Sequence, residues 1–85
     1  MKGNTMNKKE VLNTVLRIAE QVTKVDASEV SLETSLLGEM DLNSLEILVI
    51  LIEVEKYYSI KVPETEYKRL VTVGDYVDLI IKYKK

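Results

Sequence analysis

The segment from Leu45 to Tyr58 constrains this chain most: only Glu46, Glu53, Glu55 and Lys56 interrupt its apolar and aromatic residues. As a helix it spreads Leu45, Leu48, Val49 and Ile52 over one side. Ile47, Ile50, Leu51, Val54 and Tyr58 cover most of the rest. A helix apolar nearly all round must be surrounded by other elements. The chain has 85 residues for that purpose and no cysteine to staple them, so it folds as one domain near the lower size limit. The β-branched residues of Ile47–Val54 would also suit a buried strand, which periodicity alone does not separate from a buried helix. The charged continuation Glu53-Val54-Glu55-Lys56 and the lack of a second convincing strand to pair with decide for helix.

Cap signals divide the remainder. Asn43-Ser44-Leu45-Glu46 opens the apolar helix, with Asn43 as N-cap and Glu46 at the third helical position. Asn7-Lys8-Lys9-Glu10 opens an earlier one, whose Val11, Val15, Ile18 and Val22 form a stripe ending near Lys24. Asp26-Ala27-Ser28-Glu29 reads as a turn. Between Ser31 and Asn43 the periodicity disappears around Gly38, leaving a long loop pinned to the core by Leu32, Leu36, Leu37, Met40 and Leu42. So long a loop in so small a domain often carries function. Pro63 ends a short extended link, residues 64–70 form a short third helix, and Thr72-Val73-Gly74-Asp75 caps a last one with Val73, Val77, Ile80 and Ile81 on its core face. The expected fold is all-α: a small four-helix bundle with a long first loop and a short third helix. It spans residues 7–85 behind a flexible N-terminus, 1–6.

Composition excludes several function classes. With neither cysteine nor histidine there are no disulfides, no thiolate nucleophiles, none of the commonest metal ligands and no usual general base near neutral pH. Asp41-Leu42-Asn43 hints at a calcium loop, but Glu46 stands where glycine is needed and Ile52 where the bidentate glutamate belongs; no metal site is expected. Glu53 and Glu55 point to different sides of a helix, so they make no glycosidase pair. No apolar run approaches the roughly 20 residues a bilayer span requires, and the polar, basic N-terminus is no secretory signal. A cytoplasmic, monomeric, non-catalytic protein is the expectation.

Net charge is −2, unevenly spread. Residues 1–25 carry +3, residues 26–66 carry −8 and residues 67–85 carry +3. The acidic middle argues against nucleic acid and suits either plain solubility or a partner with a basic docking surface. Three short helices and a loop are a small cover for the apolar helix. Either the loop covers it all, or Leu45 and Val49 stay exposed near its start as a docking site rimmed by carboxylates.

The chain from Asn7 onward resembles the acyl carrier protein family. The strongest stretch is Asp41-Leu42-Asn43-Ser44-Leu45-Glu46 with its apolar helix. Tyr57-Tyr58-Ser59-Ile60-Lys61-Val62-Pro63 and Thr72-Val73-Gly74-Asp75-Tyr76-Val77-Asp78-Leu79-Ile80 follow in the expected order. The resemblance implies that Ser44, in the family's Asp-Ser-Leu signature, receives 4′-phosphopantetheine from coenzyme A. It implies as partners a phosphopantetheinyl transferase and enzymes that load, elongate or transfer acyl groups in fatty acid or specialised, polyketide-like biosynthesis. Asp41, Asn43, Leu45, Glu46, Val49 and Glu53 would serve partner recognition. Two residues depart from the pattern. Asn43 replaces the signature aspartate, removing one charge beside Ser44, and Val49 stands where many fatty-acid carriers have glutamate. Both point to a specialised carrier whose docking face is more apolar. An aminoacyl or peptidyl cargo, or an unmodified helical adaptor, are the rival readings.

Overall fold

A computed structural model describes residues 7–84; the flexible N-terminus expected for residues 1–6 lies outside the described residues. Helix α1 spans Lys8–Thr23, α2 Ser44–Tyr58 and α3 Val73–Tyr83, with a 3-10 helix at Glu64–Arg69 between α2 and α3. Among the described residues there is no strand, only an isolated antiparallel bridge between Ser35 and Thr72. The expected four-helix, all-α architecture with a long first loop is the one observed. The third helix differs in type: six residues, Glu64–Arg69, wind as 3-10 rather than α, as short helical connectors often do.

Each start follows its cap. The Asn7 side chain accepts from Lys9 N at 2.8 Å, so it caps α1 without the reciprocal glutamate contact that Glu10 promised. α1 ends where Lys24 turns left-handed at φ 62°. At α3 one carboxylate oxygen of Asp75 accepts from both Val71 N (2.8 Å) and Thr72 N (2.9 Å), satisfying donors just outside the helix.

The core is a contiguous apolar cluster contributed by the three α-helices and the connecting segments. Val11, Val15 and Ile18 come from α1, Ile47, Ile50, Leu51 and Val54 from α2, and Val73, Tyr76, Val77 and Ile80 from α3; Leu36, Met40 and Leu42 come from the loop. α1 lies against both α2 and α3. The loop is pinned by backbone bonds as well as by leucines. Leu36 N donates to Val71 O (2.9 Å), Val73 N to Thr34 O (3.0 Å) and Gly74 N to Leu32 O (2.7 Å). That last contact explains the glycine, since a Cβ at residue 74 would stand 2.8 Å from the Leu32 carbonyl oxygen. Leu37 departs from expectation. It is 59% exposed, because residues 36–39 form a turn closed by the Met40 N–Ser35 O bond, in which Leu36 takes the core side and Leu37 faces out.

Candidate functional site

The first turn of α2 is locked by a reciprocal pair of hydrogen bonds. Asn43, extended at φ −97° and ψ 173°, accepts at Oδ1 from Glu46 N (2.8 Å), and its own N–H donates to Glu46 Oε1 (3.0 Å). Two of the helix start's unpaired donors are thereby satisfied. Asparagine does this as well as aspartate. Ser44 is the first helical residue; its side chain is exposed, and its hydroxyl takes part in no hydrogen bond among the described residues.

The approach to this turn is also held. Met40 N donates to Ser35 O and Leu42 N to Leu36 O, each at 3.0 Å, and both side chains are buried. Between them Asp41 adopts φ 57°, a left-handed conformation that aspartate tolerates better than most residues. This twist leaves Asp41 exposed, three residues before Ser44, while its neighbours Met40 and Leu42 are buried.

From the far side, the buried Tyr76 hydroxyl donates to Ile47 O at 2.6 Å, tying α3 to the first turns of α2. Burial pushes this phenol well above its ordinary value, so it stays a donor at every physiological pH. The 3-10 helix is tied down separately. Glu66 Oε2 accepts from Lys82 Nζ (2.8 Å) and from the Tyr83 hydroxyl (2.6 Å), while Arg69 stands 3.8 Å from the other oxygen. The Lys82 hydrogen bond, followed by that of Tyr83, holds the Glu66 carboxyl below its ordinary value; Lys82 and Tyr83 are correspondingly raised. Between the two anchored elements lies a cleft of about 290 Å³, lined by Leu37, Ser44, Ile47, Leu48, Tyr67, Lys68 and Leu70.

The six expected recognition residues divide into two groups. Asp41, Asn43, Leu45 and Glu46 surround Ser44. Val49 and Glu53 lie further down α2, Glu53 about 14 Å along the axis at ~1.5 Å per residue. Leu45 is 70% exposed, as one of the two readings of the sequence held. Val49 is only half-buried and Glu53 likewise. Ile52, 41% exposed, completes an outward apolar line with Leu45 and Val49. Carboxylates are fewer on this face than the sequence implied. Glu46 is engaged in the cap, Glu53 stands 3.6 Å from Lys56, and Glu55 Oε2 accepts from Val62 N at 2.7 Å, fastening the extended link to α2. A second cleft, about 430 Å³ and lined by Ile18, Gln21, Val22, Glu53, Lys56 and Tyr57, opens towards the C-terminal end of α2.

Sequence reasoning missed Tyr67, Lys68 and Leu70 at the Ser44 cleft. They sit more than 20 positions downstream, Tyr67 and Lys68 on a 3-10 helix too short to show a periodicity and Leu70 just past its end. Only their place before the Thr72 cap gave a signal, and it concerned α3.

Residues 13–80 match the family model described as a phosphopantetheine attachment site. The chain is 30% identical over 80 residues to the acyl carrier protein of Tropheryma whipplei strain Twist, covering 94% of this chain and 98% of that one. It is 36% identical over 73 residues to the acyl carrier protein of Rhodococcus erythropolis, covering 86% and 80%. To the meromycolate extension acyl carrier protein of Mycobacterium tuberculosis strain H37Rv it is 31% identical over 80 residues, covering 94% and 70%. In fold it is similar to the crystal structure of an acyl carrier protein from Thermotoga maritima, with a TM-score of 0.82 at 21% identity, covering 91% of this chain and 89% of that one.

Proposed function

The chain belongs to the acyl carrier protein family, and from that premise we propose that Ser44 is the residue that takes the 4′-phosphopantetheine arm from coenzyme A. One observation carries this: Ser44 combines an exposed, unbonded hydroxyl with the first position of a rigidly capped helix. The residues present fit the group. A phosphodiester at a helix start meets the positive end of the helix dipole, and the hydroxyl opens on a cleft with room beside it.

The arm supplies a terminal thiol, which this cysteine-free chain lacks, and acyl groups ride on it as thioesters. The work of the chain itself is positional. Asn43 and Glu46 hold the turn, Tyr76 fixes it against α3, and Asp41 presents a carboxylate where the signature aspartate is missing. Leu45, Val49 and Ile52 offer apolar contact to partner enzymes, with Asn43, Glu46 and Glu53 at its edge. Those partners are the transferase and the enzymes that load, extend or remove acyl groups; they carry out the chemistry. An acyl cargo is preferred to an aminoacyl or peptidyl one because the relatives named above are acyl carrier proteins. A pathway apart from housekeeping fatty acid synthesis is preferred because Val49 leaves the docking line without a carboxylate. No helix among the described residues is long and apolar enough to cross a membrane, in keeping with a cytoplasmic carrier.

The test is direct. Purified protein incubated with coenzyme A and a broad-specificity phosphopantetheinyl transferase gains the mass of one arm, and Ser44→Ala gains none. No added mass in the parent protein, or an arm that persists in Ser44→Ala, overturns the assignment and returns the chain to the unmodified-adaptor reading.

A further inference from the structure

We infer that Lys68 is the phosphate-facing cation of this carrier: its ammonium group pairs with the phosphodiester once Ser44 is loaded. The inference rests on the Ser44 reading above and concerns a residue on a different element, the 3-10 helix across the cleft.

Lys68 is the only cationic residue among those lining the Ser44 cleft; the others are Leu37, Ile47, Leu48, Tyr67, Leu70 and Ser44 itself. It is also unspent. Within the described residues Arg69 and Lys82 both face Glu66, and Lys56 faces Glu53. Among the described residues no ion pair involves Lys68, not even with Glu64, four residues before it on the same element. The cleft wall cannot simply swing away, because Glu66, two residues earlier, is bonded to Lys82 and Tyr83 of α3.

Loading places one further negative charge in a region, residues 26–66, that already carries −8. Asp41 and Glu46, three residues before Ser44 and two after it, bring no positive charge to compensate it. Lys68 is the one lining group that compensates it; both it and Ser44 are exposed, so the attraction is modest and screened by salt. The chemistry recognised is a phosphodiester joined to a serine, one negative charge at the edge of an apolar wall. Lys68 acts as a positioning residue: it biases the arm towards the 3-10 helix and away from the outward line of Leu45, Val49 and Ile52, leaving that line open to partners.

The experiment compares unloaded and loaded full-length protein, the arm's thiol first capped with N-ethylmaleimide. Each form is labelled briefly with an amine-acylating reagent, and every lysine is quantified by peptide mass spectrometry. In low salt, loading lowers Lys68 labelling about two- to fivefold, the range an exposed charge pair supports. Lys24 and Lys61 stay unchanged, and high salt removes the difference. Equal Lys68 labelling in both forms, or an equal fall at Lys24 and Lys61, overturns the inference. A second readout uses Lys68→Gln, which alters an exposed side chain; circular dichroism checks its fold and intact mass its loading. Its loaded form has a phosphorus resonance displaced from that of the parent at low salt and coincident with it at high salt; identical resonances at low salt again overturn the inference. Intact mass separates the two levels. No loading at Ser44 defeats the carrier reading and Lys68 with it, whereas loading without Lys68 protection defeats the Lys68 pairing alone.

Discussion

Helix α2 has two faces built from the same residue types, and they meet opposite fates. Ile47, Ile50, Leu51 and Val54 are at most 9% exposed, enclosed by α1, α3 and the loop. Leu45 and Ile52, no less apolar, are 70% and 41% exposed. Apolar character alone therefore does not bury a side chain; the number of neighbouring elements does. In a chain this size, α1 and α3 close one side and the 3-10 helix reaches only the start of the second. What is left apolar and uncovered begins at Leu45, next to the proposed attachment residue Ser44, and such a patch suits the docking of partners.

That contrast can be broken most forcefully from inside. Leu51→Ala removes a side chain that is 1% exposed and lowers unfolding free energy by about 2–5 kcal/mol, read by urea or thermal denaturation; a loss below 1 kcal/mol contradicts the placement of that face in the core. Tyr76→Phe deletes the hydroxyl that ties α3 to Ile47 O and costs about 0.5–1.5 kcal/mol on the same assay. No change there means that α3 does not hold the first turns of α2.

Acid sharpens the comparison at the 3-10 helix. The Glu66 carboxyl is held below its ordinary value of 4.5, so its contribution to stability is fully present above that value. It is lost as pH falls through the lower, folded-state value. Glu66→Gln flattens the acid limb of a stability-against-pH curve below about 4.5. The effect is modest, because Lys82 and Arg69 keep 58% and 78% of their side chains in solvent, which screens the charges. An unchanged acid limb shows that Glu66 does not anchor this element. The smallest stability effect belongs to the outward line. Leu45→Ala changes unfolding free energy by no more than about 0.5 kcal/mol, while acyl transfer to and from partner enzymes slows. A core-sized loss places Leu45 among packed residues.

How much of this was legible in the sequence follows from the range of each interaction. The Asn43–Glu46 cap, the start of α2 and the exposed place of Ser44 depend on residues three apart, and the pattern showed them. The Thr72 start of α3 and the Leu36, Met40 and Leu42 anchors were equally local. The outward face of α2 is less legible: on a helix apolar almost all round, periodicity cannot say which side the neighbours take, so the pattern points to Leu45 and Val49 but not to Ile52. The outward place of Leu37 is illegible for a related reason, since a loop without a period has no face. The Glu66 clamp joins residues 16 and 17 positions apart, and the cleft brings Ser44 to Tyr67 and Lys68. Both depend on how the elements pack, and the sequence carried no sign of either.

The assignment of Ser44 is tested most directly by mapping the modification itself. Protein loaded from coenzyme A is digested, and the modified peptide is sequenced by tandem mass spectrometry. The carrier account predicts the whole increment on the peptide spanning Leu42–Leu45, at the serine, with Ser28, Ser31, Ser35 and Ser59 bare. An increment on any of those four serines, or on none, contradicts it.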